Sequence, residues 1–142
     1  MIVLDTNVVS DSYRARPHPS VRNWLIAQPS ADLFICAPVL AELSYGVERL
    51  PAGERRRDLA EWARKIEKEG FAGRILPFDD DAAREFGILF HRRKSIGRPI
   101  GIMDAMIAAI AKTNSAIVAT RDVSDFADLA LEVVNPFEFG GA

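Results

Sequence analysis

The chain has 142 residues, 49% of them hydrophobic and 27% charged, with a formal net charge of -2 and a pI of about 5.7. That length suits one domain over 1–142 with a core of its own, and the apolar content excludes a disordered tail. The mildly acidic balance argues against a basic DNA-binding module. It leaves room for a nucleic-acid enzyme whose acidic centre is offset by a divalent cation.

Chemistry can be narrowed further. The single cysteine, Cys36, lies in the apolar run LFICA. It excludes an intrachain disulfide, fits a reducing compartment, and reads as a buried strand residue rather than a nucleophile. His18 and His91 lack the spacing of a zinc site. The apolar start carries Asp5 and no basic leader. The run IGIMDAMIAAIA contains Asp104 and ends at Lys112, short of the roughly 18 uncharged residues of a membrane span. A soluble, cytoplasmic protein without membrane association is expected.

Taken in chain order, residues 2–4 predict a short, fully buried strand, and a helical turn begins near Thr6. The segment RARPHP, 14–19, breaks structure with two prolines. Residues 20–28 predict a helix with Val21, Trp24 and Leu25 on one face. A second strand spans 33–36, and Pro38 suits the start of a helix over 38–50, with Leu40, Leu43 and Val47 apolar and Glu42 beside them. A charged amphipathic helix over 53–69 turns Leu59, Trp62, Ala63 and Ile66 inward and stops at Gly70 and Gly73. A strand at 74–77 precedes a helix over 79–95 with Ala82, Ala83, Phe86, Leu89 and Phe90 inward. Its acidic start, Asp79–Asp81, matches the helix dipole. After a loop at 95–101, helix 103–112 is nearly apolar and should be central. Strands at 116–120 and 131–134 flank a polar segment, 122–128, and the tail FEFGGA reads as peripheral. Apolar strands alternating with helices imply an α/β fold whose parallel sheet is covered on both faces.

Four carboxylates stand at the ends of these elements: Asp5 after strand one, Glu42 early in the helix after strand two, Asp104 opening the buried helix, and Asp122 after AIVAT. In open α/β sheets such positions gather at one rim. Singly, Asp5 and Asp104 could be helix caps, Asp122 a turn residue and Glu42 a surface side chain. Together they suggest a site, because Asp5 and Asp104 interrupt strongly apolar runs and charges are rarely buried without a partner. Clustered carboxylates repel, and Mg2+ or Mn2+, as one or two ions, would remove that penalty and activate water for attack on a phosphodiester. Thr6 and Asn7 are expected to hold the first loop and Thr120 to bond a ligand carboxylate, with local turn bonding the alternative for Asn7. Asp125 is a spare acid that either reaches the site or caps a turn. Arg98 and Arg121 flank two of the acids and are expected to meet substrate phosphates, with Arg92–Lys94 widening that track. Arg55–Arg57 reads as a solvated helix face.

The motifs MIVLDTNVVSD, VLAELSYGV, GRPIGIMDAMIAAIA, IVATRDVSDF and VVNPF resemble, in order and spacing over nearly the whole chain, the PIN-domain ribonucleases, specifically VapC-type toxins of toxin–antitoxin pairs. The resemblance implies a single PIN domain over 1–142, a three-layer α/β/α sandwich around a parallel sheet. It implies metal-binding acids at Asp5, Glu42, Asp104 and Asp122, and RNA cleavage with Mg2+ or Mn2+. It also implies a homodimer, a cognate antitoxin whose tail enters the active-site groove, and operator DNA bound through that antitoxin. The family often has asparagine at the last acidic position, so Asp122 and Asp125 share the expectation there. An aspartate-based phosphatase of the haloacid dehalogenase kind would want a second acid at Asn7. A phosphate-accepting receiver would want a lysine where Arg121 stands. The non-enzymatic alternative is a partner-binding or DNA-regulatory module in which the acids only cap helices.

Overall fold

A computed structural model describes residues 1–141. Strands β1 (Ile2–Leu4), β2 (Leu33–Cys36), β3 (Ile75–Leu76), β4 (Ile117–Ala119) and β5 (Val133–Val134) form one sheet in the order β3-β2-β1-β4-β5. All pairings are parallel, with Val3 opposite Phe34 and Val118. Helices α1 (Thr6–Asp11), α2 (Pro19–Ala27), α3 (Ala37–Glu48), α4 (Glu54–Lys65), α5 (Asp80–Ser95) and α6 (Ile102–Thr113) flank it, giving the three-layer sandwich expected. Strands this short persist because both faces are covered: every residue of β1 is buried.

The strand order reverses at β1. The chain builds outward to β2 and β3, then returns through α5 and α6 to place β4 on the other side of β1. Such a reversal leaves a crevice beyond the carboxyl ends of the two central strands, where Asp5 and Thr120 lie. Helix α6 is the central helix anticipated from its composition, with Ala105 and Ile107–Ala111 buried. Its alanines let neighbouring elements approach closely.

Local signals set several boundaries. Pro19 and Pro38 occupy the first turns of α2 and α3, where a missing amide hydrogen costs nothing. Asp79 caps α5 by accepting from the Ala82 amide at 2.9 Å, with Asp80 and Asp81 in the first turn and Arg92–Lys94 in the last. Gly97, at φ +74°, makes the turn that follows.

Some expectations are corrected. The helix expected over 53–69 is α-helical only to Lys65 and continues as a π turn, Ile66–Gly70. Its inward residues Leu59, Trp62, Ala63 and Ile66 are half-buried, because α4 packs on α3. Leu40 is half-buried and Val39 is the buried residue instead, while Ala83 is exposed. The strands at 74–77, 116–120 and 131–134 shorten to the residues that pair. Of the tail expected to be peripheral, Phe137 and Phe139 instead pack against the core, while Glu138, Gly140 and Gly141 are exposed. No helix among the described residues is long and apolar enough to cross a membrane.

Candidate active site

Asp5 ends β1 and begins α1 in one residue. Its amide donates to the Ala119 carbonyl at 2.9 Å, extending the β1–β4 ladder, and its carbonyl accepts from the Val8 and Val9 amides. Its side chain is 5% exposed. One carboxylate oxygen, Oδ1, accepts from the Thr6 amide at 2.7 Å; the other, Oδ2, accepts from the Thr120 hydroxyl at 2.7 Å and from Asn7 Nδ2 at 3.3 Å. The capping alternative is therefore real, yet it uses one oxygen and leaves the acid inside the crevice. Burial raises the Asp5 pKa; the bonds from Thr120 and Thr6 oppose the rise, and the charges of Asp122 and Asp125 add to it.

Asn7 and Thr120 bind the ends of β1 and β4 together. Asn7 Nδ2 also approaches the Thr120 hydroxyl at 3.3 Å and Asp122 Oδ2 at 3.0 Å, while its Oδ1 accepts from the Arg121 amide at 3.2 Å. The fully buried Thr120 hydroxyl accepts in turn from the Asp122 amide at 3.0 Å. Asn7 thus reaches Thr120, Arg121 and Asp122 as well as Asp5, beyond local turn bonding. Thr6 reaches the other way: its hydroxyl donates to Glu42 Oε1 at 2.9 Å, joining α1 to α3. Burial raises the Glu42 pKa, the Thr6 bond lowers it, and the Asp5 charge raises it.

Asp104 lies in the first turn of α6, where the cap is Gly101. It makes no side-chain hydrogen bond among the described residues, so it is not a capping aspartate. Its pKa is pushed up to about 6, first by burial and then by the charges of Asp5, Asp125, Glu42 and Asp122. The four other acids therefore lie within electrostatic reach of Asp104. Asp122 and Asp125 are exposed. Asp125 sits inside the 3-10 turn Val123–Phe126 without a side-chain bond among the described residues.

The donor set is all carboxylate oxygen, which suits a hard cation such as Mg2+ or Mn2+ and offers nothing to a soft one. Mutual repulsion gives these acids a reason to accept one. As placed, no three acidic, histidine or cysteine side chains among the described residues enclose a single ion position. Asp5, Glu42 and Asp122 are turned instead onto Thr and Asn donors. Converging on a cation requires side-chain rotation, open to the half-buried Glu42 and Asp104 and the exposed Asp122.

The expected cations divide. The Arg121 guanidinium lies 4.9 Å over the Phe137 ring, beside Asp122 and exposed. Arg98 is paired with Asp128 at 2.5 Å. Arg93 is 4% exposed, so it cannot widen a phosphate track as expected. Two arginines set aside or passed over in the sequence line a groove with Glu42. A groove of about 630 Å3 runs from Thr6 and Glu42 past Tyr13, Tyr45, Arg49 and Arg55. Arg49 stands seven residues after Glu42, two turns along the same helix face; that spacing was the available signal. Arg55 comes from α4, whose placement no local pattern specifies.

The PIN domain family model matches residues 2–131. The chain belongs to the PIN-domain family. This PIN domain is 42% identical over 141 residues to VapC ribonuclease Y4jK of Sinorhizobium fredii, covering 97% of this chain and 99% of that protein. It is 39% identical to toxin FitB of Neisseria gonorrhoeae, covering 96% and 99%. In a solved structure of FitAB bound to an IR36 DNA fragment, one chain superposes with a TM-score of 0.91 at 37% identity, covering 99% of both chains.

Proposed function

We propose that this protein is a metal-dependent endoribonuclease, the toxin of a toxin–antitoxin pair, with residues 1–142 acting as one PIN domain. In this reading Asp5, Glu42, Asp104 and Asp122 hold Mg2+ or Mn2+, as one or two ions. The observation that carries it is the Asp5 carboxylate at the sheet's switch point, whose pKa is raised first by its burial and then by the charges of Asp122 and Asp125. A protein rarely keeps such a group without a cation to receive.

Divalent-cation chemistry at this donor set supplies neutralisation of the acids, activation of water and stabilisation of charge on phosphate. The chain's own residues do the rest. Thr6 and Thr120 fix the two oxygens of Asp5 and so hold its carboxylate in one orientation at the crevice. Thr6 holds Glu42 and Asn7 holds Asp122 at the opposite edges. Asp125 backs Asp122 from the following turn. Arg121, exposed beside Asp122, takes a substrate phosphate, and Arg98 joins it when freed from Asp128. A single RNA strand follows the groove, with Arg49 and Arg55 meeting phosphates and the exposed Tyr45 and Tyr13 offering stacking faces.

The choice of RNA is supported by the name of the Sinorhizobium relative. The toxin role is supported by FitB, and a partner that carries the protein to DNA by the FitAB complex. A cognate antitoxin would place its tail in the same groove and bring the operator contact. A homodimer and a cytoplasmic location complete the reading.

Purified protein is incubated with labelled total RNA and single-stranded DNA in Mn2+, Mg2+ or EDTA, beside Asp5→Asn. Metal-dependent RNA cuts absent from the variant are expected. Folded, partner-free protein that neither cuts RNA nor binds Mn2+ would return the chain to the alternative of a non-catalytic partner-binding or DNA-regulatory module.

A further inference from the structure

We infer that Arg93 is the positioning residue of the acid centre: its buried guanidinium ties the loop that leads into Asp104 to the turn that carries Asp122 and Asp125. This rests on the reading of those acids as a metal site. Arg93 projects from the last turns of α5 and is buried, yet it forms no ion pair among the described residues. A guanidinium in that position is unfavourable unless its donors are matched, and here backbone carbonyls match them.

The acceptors come from two segments. Nε donates to the Arg98 carbonyl at 2.7 Å, and the Arg98 amide returns a bond to the Arg93 carbonyl at 2.9 Å. That reciprocal pair closes the loop after α5, three residues before the Gly101 cap of α6 and six before Asp104. Nη1 donates to the Asp125 carbonyl at 2.7 Å and the Ala127 carbonyl at 3.1 Å. Those carbonyls bracket the end of the 3-10 turn whose first amide-to-carbonyl bond runs from Asp125 to Asp122, at 3.0 Å. One planar fork therefore sets the spacing between the segments supplying three of the five acids.

The two neighbouring arginines brace the same connection from outside. Arg98 Nη1 pairs with Asp128 Oδ2 at 2.5 Å, and Arg92 Nε donates to the Asp128 carbonyl at 3.0 Å. Asp128 has φ +62°, a sparsely populated conformation that requires such support. A basic run that looks like a phosphate track is thus partly internal scaffolding. Its effect on catalysis passes through the acids, as residues behind metal ligands commonly do.

The test uses the full chain as Arg93→Met, which keeps the packing and removes the donors, and Arg93→Lys, which keeps the charge but not the fork. Leu89→Ala, buried on the same helix, serves as a control of matched stability loss. Mn2+ alone is titrated calorimetrically at a temperature where each protein is folded, and backbone hydrogen exchange is followed without metal. Arg93→Met is expected to weaken Mn2+ binding about tenfold or more, with faster exchange confined to 97–101 and 123–128; Arg93→Lys loses less. Leu89→Ala should retain Mn2+ affinity. Unchanged affinity and exchange in Arg93→Met, or an equal loss in Leu89→Ala, would overturn the assignment. If Arg93→Met does not fold, wild-type affinity and exchange in Arg93→Lys overturn it equally. Failure of the unaltered protein to bind Mn2+ refutes the metal reading instead, and the exchange measurement still decides whether Arg93 orders the two segments.

Discussion

Asp104 is held at a cost that the metal-free protein should reveal. It ionises near pH 6 in the fold against an ordinary 3.8, so at pH 7 its charge is tolerated less well folded than unfolded. Taken whole, that difference is about 3 kcal/mol; solvent reaches this half-buried group, and screening leaves roughly 1–2 kcal/mol. Asp104→Asn removes the charge at nearly constant shape and sacrifices no hydrogen bond. The variant, in EDTA at pH 7, should therefore be more stable than the native protein, melting higher by roughly 3–7 °C for a chain of this size. The penalty is fully present above the folded pKa and disappears as pH falls toward the unfolded one. The gain should accordingly shrink at pH 4. Adding Mn2+ at pH 7 should reverse the order, because only the native protein keeps the acid. Thermal unfolding of both proteins under these three conditions is the assay. Equal stability at pH 7, or an undiminished gain at pH 4, would refute the account of Asp104 as a strained, repelled carboxylate.

Three further outcomes are expected. Mn2+ should bind about tenfold more tightly at pH 7 than at pH 5 from competition with the Asp104 proton alone, and more so because Asp5 and Glu42 are also raised; calorimetry at the two pH values checks it, and pH-independent binding would remove Asp104 from the ligands. Thr120→Val should cost about 1–3 kcal/mol in urea unfolding by stranding its buried partners; it also removes a bond that lowers the Asp5 pKa, so Mn2+ binding should demand a higher pH. The Cys36 thiol, buried and pushed up to about 12, should ignore an aromatic disulfide reagent until urea unfolds the chain, and prompt labelling of native protein would contradict that burial.

The fold was legible where one local pattern decided it. Ile2–Leu4, Leu33–Cys36 and the stretch 105–111 of α6 are apolar without alternation, and each became a largely buried segment. Asp5 stood out because it breaks such a run. Residues whose role depends on which elements meet were harder to read. Arg93 looks like a surface cation beside Lys94, and only the return of residues 125–128 to α5 turns it inward, while Arg98 stays exposed and pairs with Asp128. Arg55 is solvated as expected, and only the packing of α4 on α3 shows that it lines a groove with Glu42. Phe137 sits in a tail of ordinary composition, and its place beneath Arg121 and against His18 follows from the packing of two distant segments. The sharing of Asn7 between Asp5 and Asp122 likewise needs β1 and β4 side by side, which spacing in the chain does not reveal.

The pairing of β1 with β4 has a consequence for when activity can arise. Asp5 is translated 115 positions before Thr120, whose hydroxyl fixes it. At about 5–20 residues per second, several seconds separate their synthesis. A nascent chain that has already exposed Asp5, Glu42 and Asp104 lacks the strand on which the first of them is aligned. Closure of so long a loop comes late in folding, so the ribosome would pass residue 120 before Asp5 could be aligned beside its own RNA.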